Sequence, residues 1–198
     1  PIYLSGLLTA KSSEVREKAA EGLGELIEVT SLPSLKPALA QVTGPLIRIL
    51  GDRYPWQVKL AILSSIQVLL SKAGLFLKPF VPQLQTTFLK SLNDASAEVR
   101  EKAAANLGQL AQLTLRIDQL VKDLLNTSRS CAPSVKEACV IALGEVVLNG
   151  PKAKLSAAVV TQAGEDLKSM AEDDEESSDV QRRAAFALGQ YGARCSSE

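Results

Sequence analysis

Six side chains in the first part of the chain have the types that build protein contacts. Arg48, Arg53, Trp56 and Lys59 fall within R48-I-L-G-D-R-Y-P-W-Q-V-K59, and Arg100 and Lys102 follow in V99-R-E-K102. Tryptophan, tyrosine and arginine are the residue types enriched at interface centres, where a large apolar body and a forked cation reward desolvation. Two readings of Trp56 stand open: an exposed hot spot at a turn, or a large residue replacing the valine expected there and packing between repeats. Arg16, Arg100 and Lys136 share one register, again with two readings. They form either an internal ladder bonding turn aspartates or a basic stripe facing a partner across Arg48, Arg53, Lys59, Arg100 and Lys102.

Bond-breaking chemistry has few candidates. The chain contains no histidine, which removes Ser-His-Asp and Cys-His catalysis and every histidine-containing zinc site. Neither GxGxxG nor GxxxxGK[ST] occurs, so the common phosphate cradles are missing. Glu14/Glu17 and Glu98/Glu101 are carboxylate pairs on solvated helix faces beside Arg and Lys. The expectation is a protein that is not an enzyme and has no cofactor, metal or small-molecule substrate. Cys131, Cys139 and Cys195 are an odd number without CxxC spacing, which suits a reducing compartment.

The elements that carry these residues are set by a repeated phrase. S12-S-E-V-R-E-K-A-A-E-G-L-G-E-L26 returns 84 residues later as S96-A-E-V-R-E-K-A-A-A-N-L-G-Q-L110, with 11 of 15 positions identical. Val99, Ala103, Leu107 and Leu110 line one face of a helix. Gly24, Gly108, Gly144 and Gly189 share a register where close helix packing must offset a cost of about 1 kcal/mol relative to alanine. Weaker copies begin at Trp56, Val135 and Val180; taking these as equivalent to Val15 and Val99 gives spacings of 41, 43, 36 and 45 residues. Such periods predict an all-α fold, a HEAT/armadillo-type α-solenoid of about five helical hairpins in a right-handed superhelix. The repeats fall near 1–30, 31–74, 75–115, 116–150 and 151–198 of one solenoid, which reads as part of a longer array. Ser96 is expected to cap its helix with Glu98 in the first turn, and Asp52, Asp94 and Asp179 to precede helices. Pro45 is expected to kink or split the helix it sits in.

Charge is balanced overall, with 22 Lys/Arg against 22 Asp/Glu, which argues against a general nucleic-acid binder. Residues 1–116 carry net +4 and residues 117–198 net −4, so the first half is the expected docking surface for an acidic partner. The run E172-D-D-E-E-S-S-D179 is expected to be a solvated, extended loop, with Ser177 and Ser178 as candidate phosphate acceptors. No signal peptide or bilayer-spanning run is read from the sequence, and no membrane partner is expected.

V42-T-G-P-L-I-R-I-L-G-D-R-Y-P-W-Q-V-K59, continued by L77-K-P-F-V-P-Q-L-Q-T-T-F-L-K-S-L-N-D94, resembles a segment near the carboxyl end of the general-control translational activators. These are very large eukaryotic HEAT-repeat proteins. The close resemblance covers roughly Leu35 to Leu125, with TGPLIRILGDR and KPFVPQLQTTF its most specific phrases. It implies a cytoplasmic protein that works on translating ribosomes through its full length. It also implies activation, during amino-acid starvation, of the kinase that phosphorylates translation initiation factor two alpha. The region like this one would bind that kinase's amino-terminal RWD domain, with an arginine important to the contact and Arg48, Arg53 and Arg100 as candidates. The alternatives are a HEAT adaptor for cargo transport or tubulin, for which a row of basic turns would be the sign, or direct ribosomal RNA contact.

Overall fold

A computed structural model describes residues 2–50 and 54–195, without the side chains of residues 193–195. Arg53, and with it Asp52, lies outside the described residues. The chain is all-α, and among the described residues the helices follow one another in pairs. The first pair is α1 (Ile2–Thr9) and α2 (Ser13–Val29). A short α3 (Leu32–Leu35) and a 3-10 turn, Lys36–Ala38, lead into α4 (Leu39–Leu50), which pairs with α5 (Trp56–Ala73). Then come α6 (Val81–Ser91) and α7 (Ala97–Ala111), α8 (Ile117–Ser130) and α9 (Pro133–Asn149), and α10 (Ala157–Glu172) and α11 (Ser178–Cys195). The chain divides into two compact units, Pro1–Lys102 and Ala103–Glu198.

Proline placement explains where the helices break. α4 runs unbroken through Pro45, so the expected split does not occur there. The interruption falls at the 3-10 turn around Pro37, where the ring removes a backbone donor although Lys36 before it keeps helical dihedrals. Cores are aliphatic: Leu23 and Ile27 of α2 and Ala61, Ile62, Leu63 and Ile66 of α5 are all buried in the first unit. In the second, α8 packs on α9, and Leu120, Val121 and Leu124 of the one and Cys139, Val140 and Leu143 of the other are buried. The stretch Trp56–Ser91 is apolar enough by length and composition to cross a membrane, which the sequence reading overlooked. Half of its most apolar window is buried in the fold, where that apolarity forms core.

Small residues set the helix separations. A Cβ added at Gly24 would meet the Ser65 hydroxyl at 3.0 Å. That hydroxyl donates to the Ala20 carbonyl at 2.6 Å, tying α5 directly to the backbone of α2. Gly144 faces Ala187 of α11, with Cβ and Cα only 3.0 and 3.3 Å from an added methyl group. Gly189 shares the register but has nothing within 4 Å.

The acidic run is not an extended loop. α10 continues to Glu172 and α11 starts at Ser178, leaving a short turn. Asp173 accepts the Glu175 amide at 3.0 Å and its carbonyl accepts the Gln181 side chain at 2.7 Å. Glu176 pairs with Lys136 of α9, and the Ser177 hydroxyl accepts the Val180 amide at 3.3 Å. Local charge repulsion is thus offset by one long-range cation and a helix cap.

Cys131, which ends α8, and Cys139 of α9 lie beside one another and are not joined by a disulfide. Burial, reinforced by the neighbouring Cys131 sulfur, pushes the Cys139 thiol up to about 12. Burial also raises Cys131, although Lys136 opposes it. A thiol needs its anion to react. At pH 8 a water-soluble disulfide reagent is therefore expected to leave Cys139 unmodified until the chain is unfolded, as peptide mapping of the labelled sites would check; rapid native labelling of Cys139 would contradict this burial.

Candidate protein-docking surface

α5 begins at Trp56 because Pro55 cannot continue a helix backwards, which puts the indole at a free helix start rather than inside the layer. Trp56 is 42% exposed while Val58, two residues on, is fully buried. Val58, not Trp56, therefore occupies the register of Val99 and Val180, both also fully buried. The equivalence of Trp56 with Val15 and Val99 was off by two residues. With Val58 in place the spacings from Val15 become 43 and 41 residues. Lys59, rather than Gln57, then joins Arg16, Arg100 and Lys136.

In that register the cations make internal contacts. Lys59 pairs with Asp94 at 2.6 Å, both largely buried. Arg100 is 9% exposed and donates to the carbonyls of Asp94 and Ala95 at 2.8 and 3.0 Å. Arg16 donates to the Leu7 carbonyl and stands 4.6 Å over the Tyr54 ring. Lys136 reaches the next turn acid, Glu176. Lys59 and Lys136 thus meet turn carboxylates, Arg100 meets turn carbonyls, and Arg16 meets a carbonyl in the last turn of α1.

Asp94 is the hub. Burial works against its ionisation, but the Lys59 hydrogen bond, the Ser96 amide at 3.0 Å and the Lys59 and Arg100 charges outweigh it and hold the carboxyl below its ordinary value. Ser96 caps α7 as the sequence predicts, accepting the Val99 amide at 3.3 Å and donating to Glu98 at 2.7 Å. Glu98 is held below its ordinary value by that hydroxyl.

Arg53 aside, the five predicted contact residues that are described differ in exposure. Trp56 and Arg48 are exposed, Lys102 is half-buried, and Lys59 and Arg100 face inward to Asp94. Trp56 sits between two hollows. One, of 540 Å³, is lined by Tyr54, Lys59, Asp94, Ser96 and Glu98. The other, of 480 Å³, runs between α2 and α5 and is lined by Glu17, Glu21, Glu25, Glu28, Leu60 and Val68, among others. The sequence reading missed this acid wall, although its signal was present in the spacing of Glu17, Glu21, Glu25 and Glu28. Among the described residues no group of three or more His, Cys, Asp or Glu side chains is arranged to hold a metal ion. The surface offers an aromatic anchor and fixed charges, which is the equipment of recognition.

A HEAT repeat family model matches residues 84–114. The chain is 50% identical over 152 residues to Protein ILITYHIA of Arabidopsis thaliana, covering 77% of this chain and 6% of that protein. It is 42% identical over 194 residues to the human "Stalled ribosome sensor GCN1", covering 98% of this chain and 7% of the relative. The "eIF-2-alpha kinase activator GCN1" of Saccharomyces cerevisiae is 41% identical over 150 residues, 75% of this chain and 6% of the relative. The chain thus spans less than a tenth of the length of the relatives it matches. Among solved structures, the MAST/Orbit N-terminal domain is similar with a TM-score of 0.64 at 16% identity, covering 98% of this chain and 83% of that one. A computationally designed armadillo repeat protein for modular peptide recognition gives 0.60 at 20% identity, covering 95% and 80%. At those identities the likeness concerns the fold alone.

Proposed function

This chain belongs to the GCN1 family of HEAT-repeat proteins, and from that premise we propose that it is a non-catalytic docking platform for the amino-terminal RWD domain of the kinase acting on translation initiation factor two alpha. Through the full-length protein it supports that kinase's activation on ribosomes, in the cytoplasm. The observation that carries this reading is a match over 98% of the chain to a protein named a stalled ribosome sensor and over 86% to one named an eIF-2-alpha kinase activator. The exposed Trp56, with Tyr54 beside it and Arg48 also in solvent, supplies a surface of the right residue types. Lys102 borders it in the sequence reading, and Arg53 completes the proposed set. Lys59 and Arg100 contribute by holding the turn at Asp94 that frames the hollow.

Calorimetric titration of the chain with the RWD domain tests the reading. Saturable binding is expected, with Trp56→Ala weakening it by roughly thirtyfold, the scale of an interface hot spot. Arg48→Ala is expected to weaken it less. Arg100→Ala is expected to lower the unfolding temperature, since its guanidinium serves the fold. No binding by the folded chain, or affinity indifferent to Trp56→Ala, overturns the proposal.

A further inference from the structure

The groove between α2 and α5 has a charge pattern that the RWD reading does not use. Glu17, Glu21, Glu25 and Glu28 recur at intervals of four, four and three residues along α2 and form one wall. At 1.5 Å rise per residue that wall is about 16 Å long. Leu60, Ser64 and Val68 of α5 line the groove, which closes to Gly24 and Ser65 where the two helices touch. Trp56 and Gln57 line it at the start of α5. Glu21 is paired with Lys18 at 2.7 Å, whereas no ion pair to Glu17, Glu25 or Glu28 occurs among the described residues. Lys72 donates to the Glu28 carbonyl, leaving the Glu28 carboxylate to the groove.

Like charges one helical turn apart cost a helix a few tenths of a kcal/mol per pair. α2 carries that cost along its groove face. A cationic ligand would relieve it.

We propose that the α2/α5 groove is a docking site for a basic, amphipathic peptide segment of a partner protein. Lysines or arginines one helical turn apart would meet Glu17, Glu21, Glu25 and Glu28, while an apolar face of the segment would lie on Leu60 and Val68. A cation beside Trp56 would gain from its ring face. Charge complementarity selects this occupant: an acidic segment or a phosphate backbone would meet the carboxylates with repulsion. Trp56 borders both this groove and the hollow of the RWD reading, but the acid wall and the partner's charge belong to this inference alone.

Trp56 is the only tryptophan, so its emission reports on the groove directly. The probe is a synthetic helical peptide of lysine and leucine, with a glutamate-for-lysine counterpart as control. The lysine peptide is expected to shift Trp56 emission saturably and the glutamate peptide to leave it unmoved. E17Q/E25Q/E28Q is expected to weaken binding by roughly tenfold or more, and rising salt to weaken it further. That variant relieves like-charge repulsion, so its unfolding temperature should equal or exceed the parent's, separating lost binding from lost fold. Glu14→Gln, on α2 but outside the groove, should bind as the parent does. Emission unmoved by the lysine peptide, or affinity retained in E17Q/E25Q/E28Q, overturns the proposal whatever the RWD titration gives.

Discussion

Replacing Gly108 by leucine is expected to destabilise the chain by roughly 3 kcal/mol, the upper range for overpacking a close contact. A Cβ at this position would lie 2.6 Å from Glu145 Cβ and 3.2 Å from the Glu145 carbonyl carbon and oxygen. The side chain cannot simply rotate away, because part of the obstruction is the backbone of α9. A methyl group added at Gly189 should have the opposite sign. With nothing within 4 Å of an added methyl group, Gly189→Ala should gain about 0.5–1 kcal/mol from helix propensity alone. Urea unfolding of both variants checks the pair. Equal effects at the two glycines would show that register, rather than local crowding, decides their role.

Asp94→Ala is expected to cost about 1–3 kcal/mol at neutral pH. Lys59 and Arg100 would remain largely buried without the carboxylate that faces them, and the Ser96 amide would lose its acceptor. The effect should depend on pH in one direction. Because the folded carboxyl is held below its ordinary value of 3.8, its contribution is fully present above that value. It is lost as pH falls through the lower folded value, so the gap between variant and parent should hold above about pH 3.8, narrow as pH drops beneath it and close only below the folded value. Lys59→Ala removes the same pair, so the double variant should cost less than the sum of the singles. Parallel stability curves for Asp94→Ala and parent down to strongly acidic pH would mean that the ion pair contributes nothing.

These two sites also mark how much could be read from sequence. The close-packing glycines were legible because helical periodicity and a recurring LG phrase constrain both identity and position. What periodicity could not supply was the contact opposite each glycine, which separates Gly108 from Gly189. Trp56 was misplaced by two residues because W56-Q-V-K-L-A fits the repeat in two registers, and only burial of Val58 chooses between them. That slip hid Lys59 as a member of the cation register and made a surface patch of residues that face Asp94. The ordered acidic turn was invisible for a related reason: Lys136, 40 residues before Glu176, is what anchors it. The spacing of Glu17, Glu21, Glu25 and Glu28 puts an acid row on α2, but that this row walls a groove depends on Leu60, Ser64 and Val68 of α5, a tertiary placement that spacing does not give. Helix class and the Ser96 cap are local and were legible, and the internal-ladder reading of Arg16, Arg100 and Lys136 fits the contacts found; the long-range anchor of the acidic turn was not legible.

Amide hydrogen exchange of the chain, alone and saturated with the kinase's RWD domain, tests the docking account most directly. The account predicts slowed exchange at 54–59 and 94–98, flanking the hollow beside Trp56, with α8 to α11 unchanged. Protection confined to α8 to α11, or none anywhere despite saturation, would contradict it.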